Sequence, residues 1–199
     1  LDAVGHKPGA IYRGHKADIY EAGHRVPFVV HWPEGIRKSG KSNATVCLTD
    51  LFATVADITG AETPVNAAED SVSFLATLKG KSGQNREATV HHSINGSFAI
   101  RKGDWKLALC PGSGGWSYPR PSDMKNLDLP PLQLFNLKAD PSETNNVYQS
   151  NPDKTRELYA LLQGYVDNGR STPGPNQQNE GETKIDPSGF EKIKTELKL

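Results

Sequence analysis

The chain has 199 residues, and its 23 Lys and Arg residues balance 23 Asp and Glu residues, so the net charge is zero. This balance excludes a global attraction to nucleic acid or to an anionic membrane. No apolar run approaches the roughly 18 to 20 residues of a membrane span. The two cysteines exclude both a disulfide framework and a four-cysteine zinc site, and the length suits one domain with a subdomain.

The first part of the chain has the pattern of an α/β domain. Residues 1–24 are rich in glycine and lack a periodic apolar face, which predicts a loop. The nearly continuous apolar run Val26–Trp32 predicts a strand buried on both faces. A helix is predicted from Asp50 to Gly60, capped by Thr49 or by Asp50, and a shorter one from Val72 to Leu78. The apolar face of the first helix consists of Leu51, Phe52, Val55 and Ile58.

The second part predicts a small antiparallel sheet and one helix. Alternating residues favour a strand at 88–93 and a hairpin over 98–109. A Gly/Pro/Ser-rich loop over 111–131 precedes another short strand at 132–137. Apolar residues at i, i+3, i+4 and i+7 spacing between Asn151 and Val166 predict a helix with Asn151 as its cap.

Three segments are predicted from these composition changes. Residues 1–83 form the end of an α/β domain, residues 84–169 form a subdomain with the antiparallel sheet, and residues 170–199 form a flexible tail with a docking end. Because the chain starts without an initiator region or a targeting peptide, we expect it to be a fragment.

Reactive side chains are densest between Tyr12 and Pro27, directly before the predicted strand. Arginine and lysine in a glycine-loosened loop suit an oxyanion such as sulfate or phosphate, because the backbone approaches closely and the cations neutralise charge. The alternative from spacing alone is a solvated loop that an ion pair between Glu21 and Arg25 holds in place.

The motifs in and beyond this loop resemble those of the type I sulfatases, the formylglycine-dependent arylsulfatase family. They are Arg13-Gly14-His15-Lys16, Tyr20-Glu21-Ala22-Gly23-His24-Arg25-Val26-Pro27, Trp32-Pro33, Asp50-Leu51-Phe52-Ala53-Thr54, Ile100–Leu107 and Leu134–Asn146. They span about residues 5–170 in order, and Ala22 stands where the family usually has glycine. The resemblance implies an alkaline-phosphatase-like α/β domain followed by a subdomain with a small antiparallel sheet and one packed helix.

The resemblance also implies an activity and its residues. The complete protein is expected to hydrolyse sulfate esters, either aryl or carbohydrate sulfates, and Lys16 is expected to contact the substrate sulfate. The substrate-binding candidates are His6, Arg13, His15, His92 and Trp116. His6 or His92 would reach the leaving group, and Trp116 or Tyr118 would stack on a sugar or aryl ring.

Two parts of the family's machinery are missing from the sequence. The family's nucleophile is converted to formylglycine within a Cys/Ser-x-Pro-x-Arg signature, and its calcium ligands lie earlier in the chain. Two segments come near this signature without matching it. After Cys110 the proline, Pro111, comes one position earlier than the signature requires, and after Ser117 the arginine, Arg120, comes one position earlier. His91 and His92, as strand neighbours, point to opposite faces and do not share a metal. We therefore expect this chain to be inactive alone, and we expect calcium and formylglycine only in the full-length protein.

Other interpretations stay open. A phosphodiesterase or phosphonate hydrolase of the same superfamily would share much of the scaffold, and a non-catalytic binding module is the alternative outside enzymes. The expected partners are a sulfated small molecule or glycan and the missing N-terminal part of the same protein. An incomplete sheet predicts self-association of the isolated chain. The family resemblance implies an exported (periplasmic or extracellular) or a lysosomal protein.

Overall fold

A four-stranded antiparallel sheet organises the second half of the chain in this computed structural model, which describes residues 4–81 and 86–199. Its strands are β1 (Thr89–His92), β2 (Phe98–Lys102), β3 (Trp105–Ala108) and β4 (Gln133–Asn136), in the spatial order β1-β2-β3-β4. Leu107 of β3 lies opposite Ile100 of β2 and Leu134 of β4. The predicted hairpin and both further strands are confirmed, because short connections between alternating segments favour pairing of sequence neighbours.

The described residues also form five α-helices and one 3-10 helix of six residues. They are α1 (Glu21–His24), α2 (Asp50–Thr59), α3 (Leu75–Leu78), the 3-10 helix (Pro121–Asn126), α4 (Pro152–Asn168) and α5 (Phe190–Leu197). The predicted stop of α2 is confirmed, since Gly60 adopts a left-handed φ of 70° there. Thr49 precedes α2 without a side-chain capping bond. Instead, the Asp50 carboxylate accepts hydrogen bonds from the backbone N–H groups of Cys47 and Val72.

The chain divides into two compact units. One unit contains residues 1–27, 90–163 and 184–199, and the other contains residues 28–89 and 164–183. The first unit holds a hydrophobic cluster that joins the sheet to the segment before α1. Its members are Ile19, Tyr20, Ala99, Ala108, Cys110, Phe135 and Leu137. This cluster anchors the basic loop of residues 12–18 on the sheet.

The predicted strand over 26–32 is wrong. Residues 26–32 form no strand, and Val29 is 89% exposed. A strand with apolar residues on both faces needs neighbouring strands to satisfy its N–H and C=O groups. Within residues 4–81 and 86–199, every strand belongs to the four-stranded sheet, and none pairs with this segment.

Helix α2 turns its apolar face to solvent. Phe52 is 54% exposed and Val55 is 53% exposed, whereas the buried residues of the helix are the polar Asp50 and Thr54. This arrangement reverses the usual amphipathic pattern. The polar side is fixed by a buried ion pair of 2.7 Å between Asp50 and Arg86.

The last segment is only partly a tail. Helix α5 forms within residues 170–199, and Phe190, Ile193 and Leu197 are buried. The ring of Phe190 lies 5.5 Å from that of Tyr159 on α4, so α5 packs against α4. The predicted boundary between residues 83 and 84 falls within residues 82–85, which lie outside the described residues. The division into 1–83, 84–169 and 170–199 stays a prediction. No helix in the described part of the chain is long and apolar enough to cross a membrane.

Candidate functional site

The buried carboxylate of Asp18 joins the basic loop to the Gly/Pro loop of residues 111–131. Its Oδ1 accepts hydrogen bonds from the backbone N–H of Trp116 at 2.7 Å and of Ser117 at 3.0 Å. Its Oδ2 accepts one from the backbone N–H of His15 at 2.8 Å and another from the Ser117 hydroxyl. Asp18 is fully buried, so its charge is satisfied by these donors rather than by water.

A third segment, the turn after β1, completes this junction. The backbone N–H of Ile94 donates to the Ala17 carbonyl at 2.9 Å. Ala17 has a φ of 86°, a left-handed conformation that costs an L-residue roughly 1–3 kcal/mol and persists only where the surroundings impose it. Gly115 lies so close that a Cβ there would be 2.6 Å from Asp18 Oδ1, so only glycine fits.

Three exposed side chains project from this junction. Lys16 is exposed, and no hydrogen bond or ion pair among the described residues holds its ammonium group. The ring of His15 lies 6.4 Å from that of Trp116, which is 51% exposed. Lys16 follows His15 in the chain, so this loop carries a cation, unpaired within the described residues, next to the residue whose ring neighbours the exposed indole. A cation and an exposed ring suit a ligand that carries an anionic group on a flat or ring-shaped body.

The other predicted site residues lie elsewhere or point away. The guanidinium of Arg13 stacks 4.0 Å from the centre of the Tyr20 ring and donates to the Glu143 carbonyl at 2.8 Å. It lines a separate cavity of about 770 Å³ that neither Lys16 nor Trp116 lines. His92 ends β1 exposed, with its ring 6.1 Å from Phe98. His6 is exposed on the opening turn. Within the predicted set, the described contacts join His15 to Trp116, and Lys16 is the chain neighbour of His15. The substrate-binding roles of all these residues stay predictions.

Beneath the loop lies a network of buried charges. Lys106 on β3 is fully buried, and its Nζ is 2.8 Å from Glu143 Oε1 and 3.3 Å from Glu21 Oε1. Oε1 of Glu143 has no other hydrogen-bond partner among the described residues. Glu21 also pairs with Arg25 and Arg101, each at 2.9 Å. The ion pair between Glu21 and Arg25 that the alternative interpretation expected is thus present, and the Tyr-Glu-x-Gly-x-Arg motif has a structural role.

The two carboxylates of this network differ in their pKa. Burial raises the pKa of Glu21, but Lys106 and Arg101 more than offset it, so this pKa lies below its usual value. Burial also raises the pKa of Glu143, and there Lys106 offsets it only in part, so this pKa stays above its usual value. Three cations surround Glu21, whereas Glu143 depends on one.

A pair of histidines lies next to this network. The rings of His24 and His91 are 4.0 Å apart, and the Nε2 atoms of both are buried without a hydrogen-bond partner in the described chain. Burial, followed by the charge of Lys106, lowers the pKa of His24 to about 4. The same causes hold the pKa of His91 well below its usual value. Both rings are therefore neutral at pH 7.

The described residues do not fit a metal centre. Within 4–81 and 86–199, no three His, Cys, Asp or Glu side chains come together in a way that would hold an ion. The rings of His24 and His91 are 4.0 Å apart and tilted by 49°, and no third ligand joins them among the described residues. The expectation that calcium and formylglycine belong to the full-length protein stays a prediction.

Comparison with known proteins decides the family. Residues 14–110 match the family described as N-sulphoglucosamine sulphohydrolase, C-terminal. The matched stretch contains residues 14–18 of the basic loop, α2 and the β2–β3 hairpin. This chain belongs to the sulfatase family. The resemblance drawn from the sequence motifs is confirmed.

Individual sulfatases extend the match. An N-acetylgalactosamine-6-O-sulfatase of Bacteroides thetaiotaomicron is 42% identical over 159 residues, which is 80% of this chain and 30% of that protein. Human steryl-sulfatase is 28% identical over 180 residues, covering 79% of this chain and 30% of its own length. The chain thus spans about a third of these relatives.

Solved structures agree on the fold. A structure from work on the metabolism of multiple glycosaminoglycans by Bacteroides thetaiotaomicron has a TM-score of 0.68 and 39% identity, covering 81% of this chain and 33% of its own. A protein crystallised with k-i-k-neocarrahexaose has a TM-score of 0.59 over 85% of this chain and 35% of its own; at 22% identity it supports the fold alone. The predicted fold class, the C-terminal part of a sulfatase α/β domain with a small antiparallel sheet, is confirmed.

Sequence reasoning missed the residues that assemble this part of the sulfatase chain. Asp18 and Ser117 are about 100 positions apart, and neither belongs to a motif that the resemblance uses. The signal available in the sequence is weak: Asp18 ends the basic loop directly before the buried Ile19 and Tyr20, and Ser117 lies two positions after Gly115. From the sequence, the position of Asp18 indicates that its carboxylate accepts hydrogen bonds, but it does not indicate which residues donate them.

Proposed function

We propose that this chain is the C-terminal part of a sulfatase that hydrolyses sulfate esters, and that Lys16 contacts the substrate sulfate. The observation that carries the proposal is the exposed ammonium of Lys16 on a loop fixed from below by Asp18 and by the strained Ala17. A cation carried by a fixed loop stabilises the charge that develops on the sulfate oxygens as the S–O bond breaks.

The substrate class proposed is a sulfated carbohydrate. The relative with 42% identity is an N-acetylgalactosamine-6-O-sulfatase, and the exposed ring of Trp116 beside His15 suits the apolar face of a sugar. Lys16 would then hold the sulfate while Trp116 holds the ring. His92 and His6 remain candidates for the leaving-group side, and Arg13 is the weakest member of the set because it is committed to Tyr20 and Glu143.

Groups outside this chain would supply the remaining steps of sulfate-ester hydrolysis. We propose that the formylglycine nucleophile and the calcium ion that the family resemblance implies belong to its other part, and that this chain alone does not turn over substrate. The same resemblance supports an exported or lysosomal location, with a sulfated glycan as the ligand.

The test compares the complete protein with this chain on 6-O-sulfated N-acetylgalactosamine, on a small aryl sulfate and on a phosphate diester. We expect only the complete protein to hydrolyse the sulfates, and Lys16→Ala to lower kcat/KM by roughly 10²-fold or more. Lys138→Ala, an exposed lysine of the same compact unit, is the matched control and should change little.

Three results would contradict the proposal. Faster turnover of the phosphate diester would favour a phosphodiesterase. Sulfate hydrolysis by the 199-residue chain would refute the proposal that the nucleophile and the calcium ion belong to the other part of the protein. An inert complete protein that still binds the sulfated sugar would favour a binding module.

A further inference from the structure

The carboxylate of Asp18 is the most fully hydrogen-bonded charged group at the candidate site, and it does not face the substrate side. It is 0% exposed, so a ligand cannot touch it. The nearest ionisable partner is the ring of His15, 3.9 Å away and charged only when protonated. A carboxylate without a buried cation is costly to desolvate, and here backbone N–H groups and one hydroxyl compensate it.

The two oxygens of this carboxylate serve two different segments. Oδ1 accepts only from the segment that carries Trp116, through the N–H groups of Trp116 and Ser117. Oδ2 accepts from the N–H of His15, the residue before Lys16, and from the Ser117 hydroxyl. One rigid group therefore sets the spacing between the loop of the proposed sulfate contact and the loop of the proposed sugar contact.

The surroundings leave this group no freedom to move. Gly115 packs against both Asp18 and the Ala17 carbonyl, so the two loops touch through their backbones. The Ile94 N–H holds the same carbonyl from the third segment. The left-handed φ of Ala17 is strain that this packing imposes next to Lys16.

We propose that Asp18 is a positioning residue that fixes Trp116 relative to Lys16, and so sets how the sulfatase holds a sulfated sugar. The inference rests on the proposed function, because it takes Lys16 and Trp116 as substrate contacts. Misplacing a binding group by about 1 Å can cost about 10²-fold in rate, so the effect of losing Asp18 should be large.

Asp18→Asn is the informative variant because it keeps the shape of the side chain. An amide has one acceptor oxygen and one NH2 group. If the NH2 replaces Oδ1 it meets the N–H groups of Trp116 and Ser117, and if it replaces Oδ2 it meets the N–H of His15. In either orientation a donor faces a donor, so one of the two loops must shift.

The experiment is a double-mutant cycle in the complete protein with Asp18→Asn and Trp116→Ala, measured on 6-O-sulfated N-acetylgalactosamine. We expect Asp18→Asn to lower kcat/KM by roughly 10- to 100-fold, mainly through KM, and to add little in the Trp116→Ala background. Additive losses would overturn the inference, because they show that Asp18 and Trp116 act independently. A fall in kcat alone with an unchanged KM would also overturn it, because it indicates loss of folded enzyme rather than misplaced contacts.

Two further measurements keep the test decisive. If Asp18→Asn does not fold, Ser117→Ala serves instead, because it removes one of the four hydrogen bonds to Asp18. Ser117→Thr is its control, because it restores the hydroxyl. A loss of kcat/KM in Ser117→Ala that Ser117→Thr does not rescue would refute the role. The ¹⁹F resonance of 5-fluorotryptophan at position 116, assigned by its disappearance in Trp116→Phe, should shift or broaden in Asp18→Asn. If the wild-type protein hydrolyses no sulfate ester, the proposed function fails, and an unchanged ¹⁹F signal would then refute the positioning role separately.

Discussion

Replacing Lys106 with methionine tests the buried charge network most directly. Methionine keeps the length and apolar stem of the side chain while removing the charge. Glu21 would keep Arg25 and Arg101, but Glu143 would lose its only cation and retain one hydrogen bond of 2.6 Å from the Glu21 N–H. The variant therefore leaves a single buried carboxylate without a counter-charge.

The expected cost follows from the burial. The side chains of Lys106 and Glu143 are both 0% exposed, so solvent screening does not reduce the loss. Removing one partner of a buried ion pair destabilises by about 3–5 kcal/mol. At about 2–4 °C for each kcal/mol in a domain of this size, the thermal unfolding midpoint of Lys106→Met should fall by roughly 6 to 20 °C at pH 7.

The control and the rescue use the same network. Lys102 lies on the adjacent strand and pairs with Glu157 at 3.4 Å, but its side chain is 37% exposed, so Lys102→Met should cost less than about 1 kcal/mol. Adding Glu143→Gln to Lys106→Met should recover much of the loss, because the stranded charge disappears. Equal midpoints for Lys106→Met and Lys102→Met would refute the reasoning.

Three further predictions concern pH, packing and association. The folded pKa values of His24 and His91 lie below the unfolded value of about 6.5. The stability that these neutral rings contribute should therefore be complete above about pH 6.5 and decline as the pH falls towards about 4. In the double His→Phe variant the thermal midpoint should change less with pH over that range, and an equal change in both proteins would contradict the prediction. Gly115→Ala should lower the free energy of unfolding measured in urea, because a Cβ there meets Asp18 and Ala17. Gly164→Ala should raise it by roughly 0.5–1 kcal/mol, because Gly164 lies in α4 with open space around it. A stabilising Gly115→Ala together with a destabilising Gly164→Ala would contradict the packing argument. Phe52→Lys should reduce the self-association of the isolated chain in sedimentation velocity, and a monomeric wild-type chain would show that the exposed face of α2 does not drive association.

Local periodicity was sufficient to predict much of the fold. The hairpin of β2 and β3 and the long helix α4 follow from alternating and i, i+3, i+4 patterns within one short segment. The strand expected at Val26–Trp32 depends instead on partners elsewhere, and no strand in the described residues provides them. The sequence pattern of a segment indicates which of its faces are apolar, but not which other element packs against them.

The candidate site was predictable only in part. Family motifs identify Lys16, and composition identifies Trp116 as an aromatic residue in a Gly/Pro loop. Arg13 is three positions before Lys16, yet it points to Tyr20, because a loop carries no fixed side-chain direction. Asp18 escaped prediction because its importance lies in burial and in hydrogen bonds to residues about 100 positions away.

The junction built by Asp18 has a consequence for changing specificity. Most of its donors are main-chain N–H groups, which every residue type except proline provides. The outward side chains of Ile94, Trp116 and Tyr118, exposed by 61%, 51% and 64%, contribute little to it. A library randomised at these three positions, with Asp18, Ala17 and Gly115 kept, should therefore yield many folded variants with altered ligand preference, so that new sugars are sampled on an unchanged scaffold.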